Sequence, residues 1–204
     1  MTSLPPTSTL PTLDAEQRAQ ILDTLFEPCQ QLHTLSVSLL REQSFPTYDS
    51  LIDAVGQQLL GLFRSNLESD QKWLEAILAA HPRLGEKKVD SEQSRKEQAQ
   101  LNQGGTEEAE KLAAMNRKYE DKFPGLRYVV FVNGRSRPVI MEDMQQRIDR
   151  GDIQLEKQEA IKVGSTALVN PCSLSQVTQT NAFFCSRQKA MCDIAKDRAK
   201  KLGG

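Results

Sequence analysis

Apolar positions in the first third of the chain recur at helical spacing. Asp14, a residue type that caps helix N-termini, precedes Ile21, Leu22, Leu25 and Phe26, and Pro28 interrupts the run, which predicts a first helix over 14–27. Leu32, Leu35, Leu39 and Leu40 predict a second helix. Tyr48, Leu51, Ile52, Val55, Leu59 and Leu62 predict a third, with a turn at 44–47 between them. A fourth starts at Asp70. Its Trp73, Leu74, Ile77 and Leu78 form one stripe, which His81 continues before Pro82 ends the helix.

Past a polar turn at 83–90, the segment 91–101 is charged and helix-prone, Gly104 and Gly105 break it, and 106–119 resumes it. Local propensity reads 126–132, the one β-branched and aromatic run, as a strand closed by Asn133 and Gly134, although a lone strand has nothing to pair with. Further helices are predicted over 138–150, stopped by Gly151, and from 155 to 162. Residues 163–186 then contain no charged residue and no steady period, in a chain where 26% of residues are charged. Charge and helical spacing return with Arg187, placing Met191, Ile194, Ala195 and Leu202 on one face. Setting 163–188 aside joins Lys162 to Lys189 and produces one continuous amphipathic helix. Valine codons begin with GT and glutamine has CAG among its codons, the usual boundary letters of an intron. The segment therefore reads either as a retained intron or as a genuine surface insertion.

Composition narrows the fold class. The chain's 204 residues fit one domain, and 38% hydrophobic against 5% aromatic residues calls for a core of Leu, Ile, Val and Ala in packed helices. The expectation is an all-α, single compact multi-helix domain over 14–202. A flexible tail over 1–13 precedes it, where three prolines lie among Ser and Thr, and the low-charge insertion lies near the C-terminus. With 26 Lys and Arg against 27 Asp and Glu, no electrostatic footprint for nucleic acid exists. No apolar run approaches the ~20 residues of a membrane span, and no signal peptide is seen. The four cysteines lack CxxC spacing, and there are only two histidines, His33 and His81. Without a GxSxG, P-loop, dinucleotide or paired-histidine motif, cofactor-free chemistry is preferred for an enzyme.

His81, at the end of an apolar stripe, is the candidate proton carrier, because burial would hold its imidazole neutral near pH 7. By itself such a histidine is more often a satisfied core or cap residue. Ser94, Glu97 and Gln98 share one helical face and suit a small polar heterocycle, or a solvated face beside Glu92, Arg95 and Lys96. Arg135 and Arg137 offer an anion clamp or an exposed turn. Arg198 borders the last apolar face, among surface lysines 196, 200 and 201.

Together, His81-Pro82-x-Leu84-Gly85, Ser94-x-x-Glu97-Gln98, Asn116-x-x-Tyr119, Phe123, Gly125, Gly134-Arg135, Glu159-Ala160 and Ile194-Ala195-x-x-Arg198 form an ordered series over most of 13–202. That series resembles the decarboxylases of 2-oxo-4-hydroxy-4-carboxy-5-ureidoimidazoline (OHCU), the last step from urate to (S)-allantoin. The resemblance implies an all-helical homodimer with no metal or organic cofactor and a small-molecule ureidoimidazoline substrate. It further implies that His81 moves the proton with Glu97 as acidic companion, that Arg198 holds anionic charge, and that Ser94 and Gln98 bond the substrate. Pro82 and the backbone of Tyr128, Val129, Val130, Phe131 and Val132 would line the pocket. Leu126 and Arg127 depart from the Phe-Pro type sequence of many relatives, which leaves the register of that lining open by about one residue. Relatives are often peroxisomal, whereas this chain ends Lys-Leu-Gly-Gly without a Ser-Lys-Leu address, leaving peroxisome or cytoplasm. The competing readings are a related decarboxylase with another ureido substrate and a non-catalytic helical interaction domain whose charge-mixed faces bind a protein partner.

Overall fold

A computed structural model describes residues 3–86, 92–98, 106–132, 134–161 and 191–204. The suspected insertion 163–188, Asn133 and the Gly104-Gly105 break lie outside the described residues. Among those described, the elements are a 3-10 helix, Thr7–Thr12, and nine α-helices: α1 Ala15–Leu25, α2 Gln30–Glu42, α3 Tyr48–Arg64, α4 Glu68–Leu78, α5 Glu92–Gln98, α6 Thr106–Lys122, α7 Arg137–Arg150, α8 Ile153–Ile161 and α9 Met191–Lys201. The all-α expectation holds.

Local chemistry sets these boundaries. Asp14 starts α1 with a capping box, its carboxylate accepting from the Gln17 N–H at 2.8 Å while the Gln17 side chain accepts from the Asp14 N–H. Thr47 and Ser50 repeat the device at α3. Pro138 sits in the first turn of α7, where its missing N–H has no helical partner to lose, and Gly151 closes that helix in the left-handed region at φ 65.

Helix α3 is central and packs against α2, α4, α8 and α9, while α1 lies on α2 and α9, and α6 pairs with α7. Leu22, Leu25, Leu40, Leu51, Ile52, Leu59 and Leu74 are all completely buried between these faces. Each such side chain contributes roughly 1.5–3 kcal/mol by leaving water.

Two expectations are corrected. Far from being a flexible tail, the N-terminal segment is packed: Leu10 is fully buried, the Leu4 N–H donates to the Leu202 carbonyl at 3.2 Å, and the Tyr48 hydroxyl donates to the Pro5 carbonyl at 2.7 Å. Leucines too widely spaced to show a period each find the core separately, and prolines restrict the unfolded chain, which lowers the entropy lost on ordering. Trp73 leaves the stripe of α4: it is 38% exposed while Leu74, Ile77 and Leu78 are buried.

Candidate active site

Helix α4 stops at Leu78, so His81 stands in the bend beyond the helix rather than on it. Its loop is stitched from three sides. Arg127 Nη1 donates to the His81 carbonyl at 2.9 Å, Asn116 Nδ2 from α6 donates to the Leu84 carbonyl at 2.9 Å, and the Gly85 N–H donates to Gln98 Oε1 at 2.8 Å. Gly85 has φ +76, and a Cβ there would lie 2.8 Å from Leu112 Cδ2, so both backbone and space require glycine. The imidazole of His81 is 5% exposed, and neither ring nitrogen has a hydrogen-bond partner among the described residues. Burial, then the positive charges of Arg198 and Arg127, push its pKa down from 6.5 to about 3, so the ring is neutral at physiological pH.

Arg198, 1% exposed, joins three distant segments. Its Nε and Nη2 grip Glu97 of α5 bidentately at 2.7 and 2.8 Å. Nη1 donates to the carbonyls of Phe26 at 2.6 Å and Leu25 at 3.3 Å, and Nη2 also donates to Glu27 Oε1 at 2.8 Å and Ser94 Oγ at 2.9 Å. The Ser94 hydroxyl in turn donates to Glu27. Two carboxylates against one guanidinium hold Arg198 charged, raising its pKa above its ordinary value against the opposing effect of burial.

The third wall is the run 126–132. It is neither strand nor helix, and side chains take the place of a pairing strand. Arg147 of α7 lies 5.0 Å from the centre of the Tyr128 ring and donates to the Val129 carbonyl at 3.4 Å, while Arg135 folds back onto the Phe131 and Val132 carbonyls. The Tyr128 hydroxyl donates to Asp143, and burial first, with that carboxylate assisting, raises its pKa well above the usual value. Behind it, Glu156 accepts from Tyr119 at 2.6 Å and pairs with Arg147 and Arg150. Local propensity was misleading because it registers an extended backbone without revealing that its partners are side chains.

These walls enclose a cavity of about 330 Å³. His81, Pro82, Ser94, Glu97, Gln98, Arg198 and all of 128–132 line it, so every residue that the family resemblance implied for the site reaches one place. One expected arrangement changes: the Arg198 donors go to protein acceptors, and the guanidinium holds Glu97 instead of lying open to an anion. Lys96 and Lys201 also line the cavity, although their sequence context reads as solvated helix surface. Their ion pairs, with Glu92 and Asp197, lie one turn away on their own helices. Glu27 was hidden for a different reason, since a glutamate before Pro28 carries no periodic signal. The Arg135–Arg137 clamp does not form at the cavity: Arg135 staples the wall and Arg137 pairs with Glu108 at 3.5 Å. Among the described residues no group of three His, Cys, Asp or Glu side chains is placed to hold a metal ion, and no helix is long and apolar enough to cross a membrane.

Comparison with known proteins bears on this geometry. The family model for OHCU decarboxylase matches residues 11–163, which include every lining residue named above except Arg198 and Lys201, and the match ends where the charge-free segment begins. A curated relative, the 2-oxo-4-hydroxy-4-carboxy-5-ureidoimidazoline decarboxylase of Halalkalicoccus jeotgali, is 28% identical over 143 residues, covering 69% of this chain and 77% of that protein. With three quarters of its length matched and the ordered motifs gathered around one cavity, the chain belongs to the OHCU decarboxylase family.

Proposed function

We propose that this chain decarboxylates 2-oxo-4-hydroxy-4-carboxy-5-ureidoimidazoline to (S)-allantoin, with His81 as the proton carrier. The observation that carries the reading is a buried, neutral imidazole whose two nitrogens are unengaged among the described residues, sharing a cavity with a carboxylate that Arg198 holds in place. The volume, about 330 Å³, lies at the small end of ligand pockets, which run from roughly 300 to 1,000 Å³, and suits a substrate with one ring.

Loss of carbon dioxide leaves an electron pair on the ring carbon, and the neighbouring ring imine accepts it. The protein's tasks are to orient the carboxylate, exclude water and move a proton. Neutral His81 has a free nitrogen to receive or return that proton, and an anionic substrate against the ring favours its protonated form. Glu97 faces the same space from α5. Gln98, whose carbonyl oxygen is taken by Gly85, offers its NH2 group to the ureido or ring oxygen. With the Arg198 donors engaged, the cations left among the described residues to meet the carboxylate are Lys96 and Lys201 on the cavity wall. Protonation from one fixed side yields a single enantiomer. A homodimer located in peroxisome or cytoplasm belongs to the same reading, and sedimentation of the purified chain tests the dimer.

Family membership does not favour the alternative of a non-catalytic interaction domain. Freshly made urate oxidation product, followed by circular dichroism, is expected to give optically active allantoin faster with the chain than without it. His81→Asn is expected to abolish that acceleration while remaining folded. No acceleration by the folded chain refutes the reading.

A further inference from the structure

Glu27 is 3% exposed and does not line the cavity, yet its carboxylate accepts from two groups that do: Arg198 Nη2 at 2.8 Å and the Ser94 hydroxyl. With the carbonyls of Leu25 and Phe26 it completes a cradle of three successive residues around one edge of the Arg198 guanidinium. A bidentate pair with Glu97 alone leaves that planar group free to rock about the pair; acceptors on its opposite edge fix its plane. Glu27 also accepts the hydrogen bond that the Ser94 hydroxyl donates and so turns that donor toward itself, outside the cavity lining.

The arrangement is a poor device for stability. One guanidinium is neutralised by one carboxylate, and a second buried carboxylate adds desolvation that an apolar residue of similar shape would avoid. What the second carboxylate supplies is orientation.

Resting on the proposed function, we infer that Glu27 is a positioning residue of the decarboxylation, acting through Arg198 to hold Glu97 against the substrate and through its own acceptor oxygen to hold the Ser94 hydroxyl. Misplacing a reacting group by about 1 Å costs on the order of a hundredfold in rate.

The test is a double-mutant cycle on the full chain, with fresh urate oxidation product as substrate and kcat and KM measured separately. Glu27→Gln keeps the shape and removes the charge. It is expected to melt close to the parent, to lose kcat by roughly tenfold to a hundredfold, and to change KM by less than about threefold. In a Glu97→Asp background the same substitution is expected to cost less than about twofold more, because both act through one carboxylate. An unchanged kcat in Glu27→Gln, or losses that multiply in the double variant, overturns the inference while leaving the activity intact. A parent chain without turnover overturns both readings. Should Glu27→Gln not fold, Glu27→Asp, which keeps the charge but withdraws it by one methylene, carries the same expectations.

Discussion

Replacing His81 by asparagine alters how stability responds to acid, in an amount that follows from the burial of the ring. The imidazole has a pKa of about 3 in the folded protein, against 6.5 when the chain is unfolded and the ring meets water. Between those values the unfolded chain binds a proton that the folded one refuses, so stability falls as pH drops below 6.5, and the loss stops growing near pH 3. At pH 7.5 both states hold a neutral ring and the effect vanishes. At pH 5.0 it reaches about 2 kcal/mol, one and a half pH units at roughly 1.4 kcal/mol each. The carboxamide that replaces the ring does not titrate. The stability of the variant minus that of the parent is therefore expected to rise by about 2 kcal/mol from pH 7.5 to 5.0. Urea unfolding at the two pH values measures this directly, and whatever is common to both proteins cancels in the difference. The sign matters, since a variant that loses ground in acid would mean that His81 gains an anionic partner on folding. An equal difference at both pH values would mean that the ring is hydrated, which removes the desolvated proton carrier on which the site depends.

Arg198→Gln leaves the buried Glu27 and the part-buried Glu97 without the cation they share and is expected to cost about 3–5 kcal/mol in urea unfolding along with nearly all turnover; a loss under about 1 kcal/mol would show that the cradle contributes little. Changing Lys96 and Lys201 together to Gln is expected to raise KM several-fold at low ionic strength with kcat retained, an effect that fades with added salt; a salt-independent KM equal to the parent's would rule out their meeting the substrate carboxylate. Deleting 163–188 joins Lys162 to Lys189 and is expected to yield a folded, active decarboxylase, with kcat at or above that of the full chain; loss of folding would show that the segment is an integral part of the domain.

The helices were legible because each of their faces is written locally. Asp14, Thr47 and Gly151 mark ends by their own chemistry, and the leucine stripes of α2 and α3 declare which side is buried. Helical spacing failed where one residue decided alone: Trp73 fits the period of α4 yet faces out, and Leu10 fits no period yet is fully buried. At the site, the motif residues that touch the cavity were foreseeable from their order, whereas Lys96, Lys201 and the Arg198 partners were not. Its acceptors include two backbone carbonyls and a glutamate just past the end of α1, and neither kind carries a sequence signal. Their number changes its role from anion binder to holder of Glu97. The same limit applies to 126–132, whose extended form is visible in its β-branched residues but whose partners, Arg147 and Asp143, come from the helix after it.

Arg198 also sets a schedule for synthesis. Its bonds to Leu25, Phe26 and Glu27 span 173, 172 and 171 positions of a 204-residue chain. On a ribosome extending at about 5–20 residues per second, Glu27 and Glu97 are both made well before the cation that reconciles them. Until the last turns of α9 emerge, the nascent protein holds like charges where its core must close. Closure therefore comes as one of the final acts of folding, and a chain released short of α9 has a strong electrostatic reason to stay open to proteolysis.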